Sequence, residues 1–272
     1  IIYYYLFIIL AALGGGIRLL LTTGRHPSPI TQWGVVGLLV LTILAGYTAV
    51  ATNLRPIQAD MVYKTALSVE RQQADQALLL YEEAIKMTPR EDFFYFEKGR
   101  SLLTSATSGA AGGGVQISDQ DAIAEAIQAF SNAQNIAPLN TDHAKGLAKV
   151  YGVWAAAGEV VQRQQRLQQA IYYYDMSTTL SPNNAFLWNQ KAQFYLLTLG
   201  DLERAQEVIS QSLAVDDEYE ETWLLQAELY RQQGLVAEAA EAYKRAVEID
   251  PRKTMAWLSM GDLYRQQGQF TQ

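Results

Sequence analysis

Residues 222–234, TWLLQAELYRQQG, and 256–268, AWLSMGDLYRQQG, repeat a tryptophan, a Tyr-Arg-Gln-Gln-Gly run and the apolar places between them at an interval of 34. Gly200, Gly234 and Gly268 keep the same interval. A period of this length means that each repeat is one supersecondary unit that cannot cover its own apolar side, so neighbours must stack. A second helical pattern follows each such segment: a small residue, an aromatic or aliphatic four later, a small residue three beyond that, and usually a proline. The clearest copy is Ala239, Tyr243, Ala246, Pro251. Earlier copies are Ala77, Tyr81, Ala84, Pro89; Ala126, Phe130, Ala133, Pro138; and Ala170, Tyr174, Ser177, Pro182. One copy, Ala205, Ile209, Ser212, ends on Asp217 in place of proline. The expectation is five complete helical hairpins and a sixth that stops after its first helix.

Residues three and four apart share one helix face, and small side chains there let a partner helix approach closely while aromatics fill the remaining gaps. Glycine between the helices accepts the left-handed conformation that ends the first, and proline after the second stops it. The first copy departs, with Gln72 and Gln73 where later copies carry glycine. Trp188 stands one residue further from Gly200 than Trp223 does from Gly234. The third hairpin has seven extra residues between Gly158 and Ala170, which amounts to about two helical turns. A Gly/Ala/Ser-rich stretch at 104–119, TSATSGAAGGGVQISD, predicts a mobile polar insertion. Either addition is a binding element or ordinary loop growth.

Trp257, Gly261, Tyr264 and Gly268, with the small-aromatic-small-proline sets above, resemble the tetratricopeptide repeat family over about Ala59 to Gln272. The resemblance implies an all-α solenoid at 55–272 whose concave face, lined by the first helix of each hairpin, grips peptides or extended segments. The places that would point inward are Arg100, Lys145, Lys149, Gln193, Glu228, Arg231, Asp262 and Arg265. Charged hydrogen bonds to a polypeptide would carry recognition there.

The N-terminal part reads differently. Ile1 to Ile17 carries no charge, and Gly34 to Ala51, GVVGLLVLTILAGYTAVA, is a second uncharged run. Two transmembrane helices, about 1–22 and 33–53, are therefore expected within 1–54, joined through the turn-rich Gly24-Arg25-His26-Pro27-Ser28-Pro29. Tyr3, Tyr4, Tyr5 and Trp33 suit the bilayer interface, and Arg18 can snorkel to it. Arg18 and Arg25 in the short link favour a cytoplasmic link and an extracytoplasmic repeat part.

Residues 1–58 carry three arginines and no acid, whereas the rest carries 18 basic against 28 acidic residues. An acidic soluble part repels phosphate backbones and argues against nucleic acid as partner; a solvated acidic helix surface explains the same balance. With no cysteine there is neither a disulfide framework nor a thiolate nucleophile. Gly112-Gly113-Gly114 lacks the lysine of a phosphate loop, and His26 and His143 are the only histidines. No catalytic residue, metal or cofactor is implied.

The junction 53–60, NLRPIQAD, and residues 91–96, EDFFYF, resemble bacterial polytopic proteins of the O-antigen ligase/polymerase class that carry tetratricopeptide tails. The chain begins at Ile1 and reads as a piece of a longer protein. Two functions are expected from these features. The first is a membrane-anchored scaffold that holds a protein partner or a subunit of a membrane complex. The other is the tail of a cell-envelope glycan enzyme whose catalytic part lies upstream, which leaves the residues shown non-enzymatic.

Overall fold

The computed structural model describes residues 29–107, 120–157 and 160–266. Every regular element among them is a helix. In chain order these are α1 (Pro29–Val69), α2 (Ala74–Met87), α3 (Asp92–Thr107), α4 (Gln120–Ile136), α5 (Thr141–Ala157), α6 (Val160–Leu180), α7 (Ala185–Gln193), α8 (Leu202–Val215), α9 (Glu220–Gln232), α10 (Val236–Ile249) and α11 (Thr254–Gln266). A π-helical turn, Phe194–Leu199, prolongs α7. The chain divides into two compact units, Ile1–Phe94 and Tyr95–Gln272.

In the first unit the C-terminal part of α1 pairs with α2. Ala59 and Ala66 of α1 and Ala77, Tyr81 and Ala84 of α2 are fully buried, the small residues letting the two backbones close on Tyr81. The link needs no glycine: Gln72 and Gln73 both donate their N–H groups to Val69 O, at 3.0 and 2.8 Å, and no residue there takes a positive φ. The expected span at about 1–22 and most of the link to the second lie outside the described residues. The second expected span, about 33–53, falls within α1, which runs on through Arg55 and Pro56 without a break. Among the described residues no helix is long and apolar enough to cross a membrane.

In the second unit α3 to α10 form four hairpins, each helix packed on its neighbours in sequence, and α11 opens a fifth pair. The small residues of the repeat, Ala126, Ala133, Ala170, Ser177, Ala205, Ser212, Ala239 and Ala246, are all buried, as are Phe130, Tyr174, Ile209 and Tyr243 between them. Phe130 shows why. A Cβ added at Gly99 of α3 would stand 3.0 Å from its ring, and one at Gly146 of α5 only 2.7 Å, so two glycines make the slot for one aromatic.

Gly200 and Gly234 end their helices at φ 66° and 76°, the left-handed conformation expected of them. After Gly234 the closing bond runs from Leu235 N–H to Tyr230 O, spanning five residues; after Gly200 it runs from Asp201 N–H to Tyr195 O, spanning six. The π-helical turn therefore absorbs the one extra residue between Trp188 and Gly200, and the later helices keep their phase. The seven extra residues of the third hairpin lengthen α6, which has 21 residues against 14 in α8 and in α10. Of the expected insertion at 104–119, Thr104 to Thr107 form the last turn of α3; 108–119 lie outside the described residues.

The copy that lacks its proline closes by other means. Asp216 accepts a hydrogen bond at 3.0 Å from Glu218 N–H, the same contact that Asp250 makes with Arg252 N–H in the copy that keeps Pro251. Trp188, Trp223 and Trp257 each donate the indole N–H to the carbonyl oxygen six residues earlier, on Pro182, Asp217 and Pro251, at 2.7, 2.7 and 3.0 Å. The recurrent tryptophan thus ties each first helix to the link before it, with or without proline.

Candidate functional site

The eight places named from the resemblance all lie in the second unit, on the first helices of its hairpins. Six belong to ion pairs three residues apart on one helix. Arg100 Nη2 meets Glu97 at 2.8 Å, Lys145 meets Asp142 at 2.6 Å, and Arg265 meets Asp262 at 2.8 Å. Arg231 grips Glu228 through both Nε and Nη2 at 2.7 Å, and Gln232 adds a third donor at 2.8 Å. The hydrogen bonds from Arg231 hold the Glu228 carboxyl below the ordinary carboxylate range, against the opposing effect of burial. Lys145 also stands 5.0 Å from the Phe186 ring centre. Local pairing spends most of the charge that the sequence assigns to a groove.

Lys149 and Gln193 behave differently. Both are exposed, and no carboxylate lies within ion-pair distance of Lys149 among the described residues. They face each other across a cleft of about 190 Å³ between α5 and the helix of α7 with its π-helical turn. Gly152 opens the α5 side, where a Cβ would meet the Phe194 ring at 3.1 Å. Tyr174 and Phe194 form an apolar floor with ring centres 5.1 Å apart, and burial pushes the Tyr174 phenol far above its usual range. Gln190, Gln193 and Thr198 put neutral donors and acceptors on the rim.

Several other buried polar groups in the hairpins are paired within the fold. Ser212, at a small-residue place of the repeat, donates to Ala185 O at 3.1 Å and shares a 2.8 Å hydrogen bond with Thr222, which accepts from Asn189 at 3.3 Å. His143 is buried between Asn140, Ala137 O and the Phe96 ring, a packed core histidine. Among the described residues no group of three or more His, Asp or Glu stands together as a metal site. Lys253 reaches back from the link before α11 to Glu220 and Glu221 on α9; the Glu221 contact, then that of Glu220, raises its pKa against partial burial. Sequence spacing alone did not single out the contacts of Asn189 with Thr222 and of Lys253 with Glu220 and Glu221, because each joins residues more than thirty apart.

Comparison with known proteins bears on the fold. Residues 195–254 match the family model described as tetratricopeptide repeat. Among solved structures the chain is similar to TTC0263, a thermophilic TPR protein from Thermus thermophilus, at 20% identity over 76% of this chain and 99% of that one, with a TM-score of 0.59. It is also similar to Pseudomonas aeruginosa PilF, at 14% identity over 79% and 88% of the two chains with a TM-score of 0.54. PilW, a type IV pilus biogenesis factor, gives 15% identity over 78% and 86% with a TM-score of 0.55. At such identities the likeness shows the fold alone. No curated protein matches the chain. Residues 195–254 are therefore matched as tetratricopeptide repeat, and the all-α helical hairpins share the fold of tetratricopeptide-repeat structures.

Proposed function

We propose that this chain is a protein-interaction scaffold that takes an extended polypeptide segment along the first helices of its second unit, anchored at the cleft between Lys149 and Gln193. One observation carries the reading: among the eight places, only these two combine exposure, a cation without a local acid and an apolar floor within one cleft. Amide side chains that both donate and accept suit a peptide backbone, and the aromatic floor suits an apolar side chain. Arg100, Lys145, Glu228, Arg231, Asp262 and Arg265 then serve as rim charges that bias orientation. No observation favours the glycan-enzyme reading, which rests on the sequence resemblance alone.

A bilayer anchor completes the proposal. Val36, Leu38, Val40, Leu41, Ile43, Leu44 and Tyr47 are 48–68% exposed on α1 and point all round the helix, so no single protein face could cover them. Lipid would. With such an anchor the chain would sit in a bacterial inner membrane with the repeats outside the cytoplasm.

The test is purification from native membranes after an alkaline carbonate wash. The full chain should stay in the membrane pellet with a defined polypeptide that is lost on Lys149→Glu substitution. Release by the wash refutes the anchor, and an unchanged set of companions after Lys149→Glu refutes the scaffold site.

A further inference from the structure

The lengthened α6 brings in a buried cation that the repeat pattern does not require. Arg166 is 8% exposed, and its guanidinium carbon lies 3.8 Å from the centre of the Trp154 ring on α5. Its Nη1 donates to Trp154 O at 3.4 Å and its Nη2 to the Gln162 side-chain oxygen, both neutral acceptors. Its Nε and the Trp154 indole nitrogen have no acceptor at all, although both are shielded from solvent. Most other cations of this unit, Lys98, Lys191, Arg204, Arg231 and Lys253 among them, have a carboxylate within 4.0 Å. Arg166 has none among the described residues.

Cation–π contact offsets part of the penalty for removing a guanidinium from water, but a buried charge without a counter-charge remains unfavourable. The hollow beside it, about 230 Å³, is lined by Tyr151, Trp154, Gln162, Gln165, Arg166 and Gln169. Every other lining group among the described residues is neutral, so the site offers one positive charge, spare N–H donors and adaptable amides. A planar guanidinium with free donors matches the two oxygens of a carboxylate. The volume falls below that of hollows that take drug-sized ligands, which suits a single side chain.

We propose that the hollow formed by Arg166, Trp154 and the α6 glutamines binds the carboxylate of a glutamate or aspartate side chain presented by a partner polypeptide. The polypeptide source rests on the scaffold reading; the carboxylate chemistry does not. Entry of the carboxylate turns Arg166 from an uncompensated charge into one half of an ion pair. The indole and Nε donors can then reach an acceptor after a small shift of the stacked pair.

The test is a nitrogen-15 NMR titration of the full chain, following the indole N–H of Trp154, assigned with Trp154→Phe. The probes are an end-capped Gly-Glu-Gly peptide, its Gly-Gln-Gly counterpart and sodium acetate. The expected result is a saturable shift with the glutamate peptide, with a Kd on the order of 1 mM. Binding should weaken about tenfold or more with Arg166→Gln, and should not occur with the glutamine peptide. Lys149→Glu should leave it unchanged, so that failure of the scaffold site and failure of this one are told apart. Because Arg166→Gln removes a buried charge, the variant should fold at least as stably, which heat denaturation of the free chain checks. Equal binding of both peptides, an undiminished Arg166→Gln response, or no saturable shift in the folded chain overturns the proposal. Acetate binding as tightly as the glutamate peptide overturns the polypeptide source.

Discussion

At the scale of single residues, the packing depends on where a side chain is missing as much as on where one is present. Gly146 lies in α5, and helix propensity alone makes Gly→Ala favourable by about 0.5–1 kcal/mol. At this position an added Cβ would stand 2.7 Å from Phe130, a ring only 2% exposed that has little room to give. Gly146→Ala should therefore destabilise by about 1–3 kcal/mol, and Phe130→Leu in the same chain should recover part of the loss by non-additivity. Gly261→Ala is the matched control, since nothing lies within 4 Å of its Cβ, and it should stabilise. Urea midpoints of these three variants and of Phe130→Leu alone decide the matter; a stabilising Gly146→Ala would contradict the slot geometry. Ion pairing was within reach of the sequence, because Glu97, Asp142, Glu228 and Asp262 each stand three residues from the cation they neutralise. In the folded chain these charges are paired along their own helices, which periodicity alone does not display.

At the scale of elements, each hairpin stops its helices with a small set of devices, and the copies exchange them freely. Left-handed glycine, an aspartate-capped turn and the tryptophan bond to the preceding link recur in different combinations. The π-helical turn is a further device, one that hides an inserted residue. Deleting Leu197, 55% exposed within that turn, should restore ordinary α-helix and the Trp-to-Gly spacing of the next hairpin. The far-ultraviolet circular dichroism should keep its amplitude and the melting temperature should move by only a few degrees. Deleting Gln226 from α9, which has no such turn, should rotate Ala227 and Leu229 by about 100° out of the core and cause a large loss in both measurements. Equal tolerance of the two deletions would show that the π-helical turn is not a relic of insertion.

At the scale of the whole molecule, the second unit is held by contacts between successive helices, so cooperativity must pass from one neighbour to the next. Ala246 and Val247 of α10 cluster with Ala256 of α11, and Leu263 of α11 covers Ala227 and Tyr243. Ending the chain at residue 250 should therefore speed hydrogen exchange in α9 and α10 while α4 and α5 keep their protection. A uniform loss of protection across the unit would mean a single cooperative core.

By itself the sequence determined the hairpins: small residues three and four apart bury wherever two helices meet, and this rule needs only the 34-residue spacing to be applied along the chain. Only the tertiary structure decided which polar groups remain available. Lys149 and Gln193, 44 positions apart, line one cleft, and Arg166 loses water to Trp154 with no acid beside it among the described residues. The physical reason is range: helix periodicity acts within a turn or two, whereas burial and counter-charge are set by whatever the folded chain brings alongside.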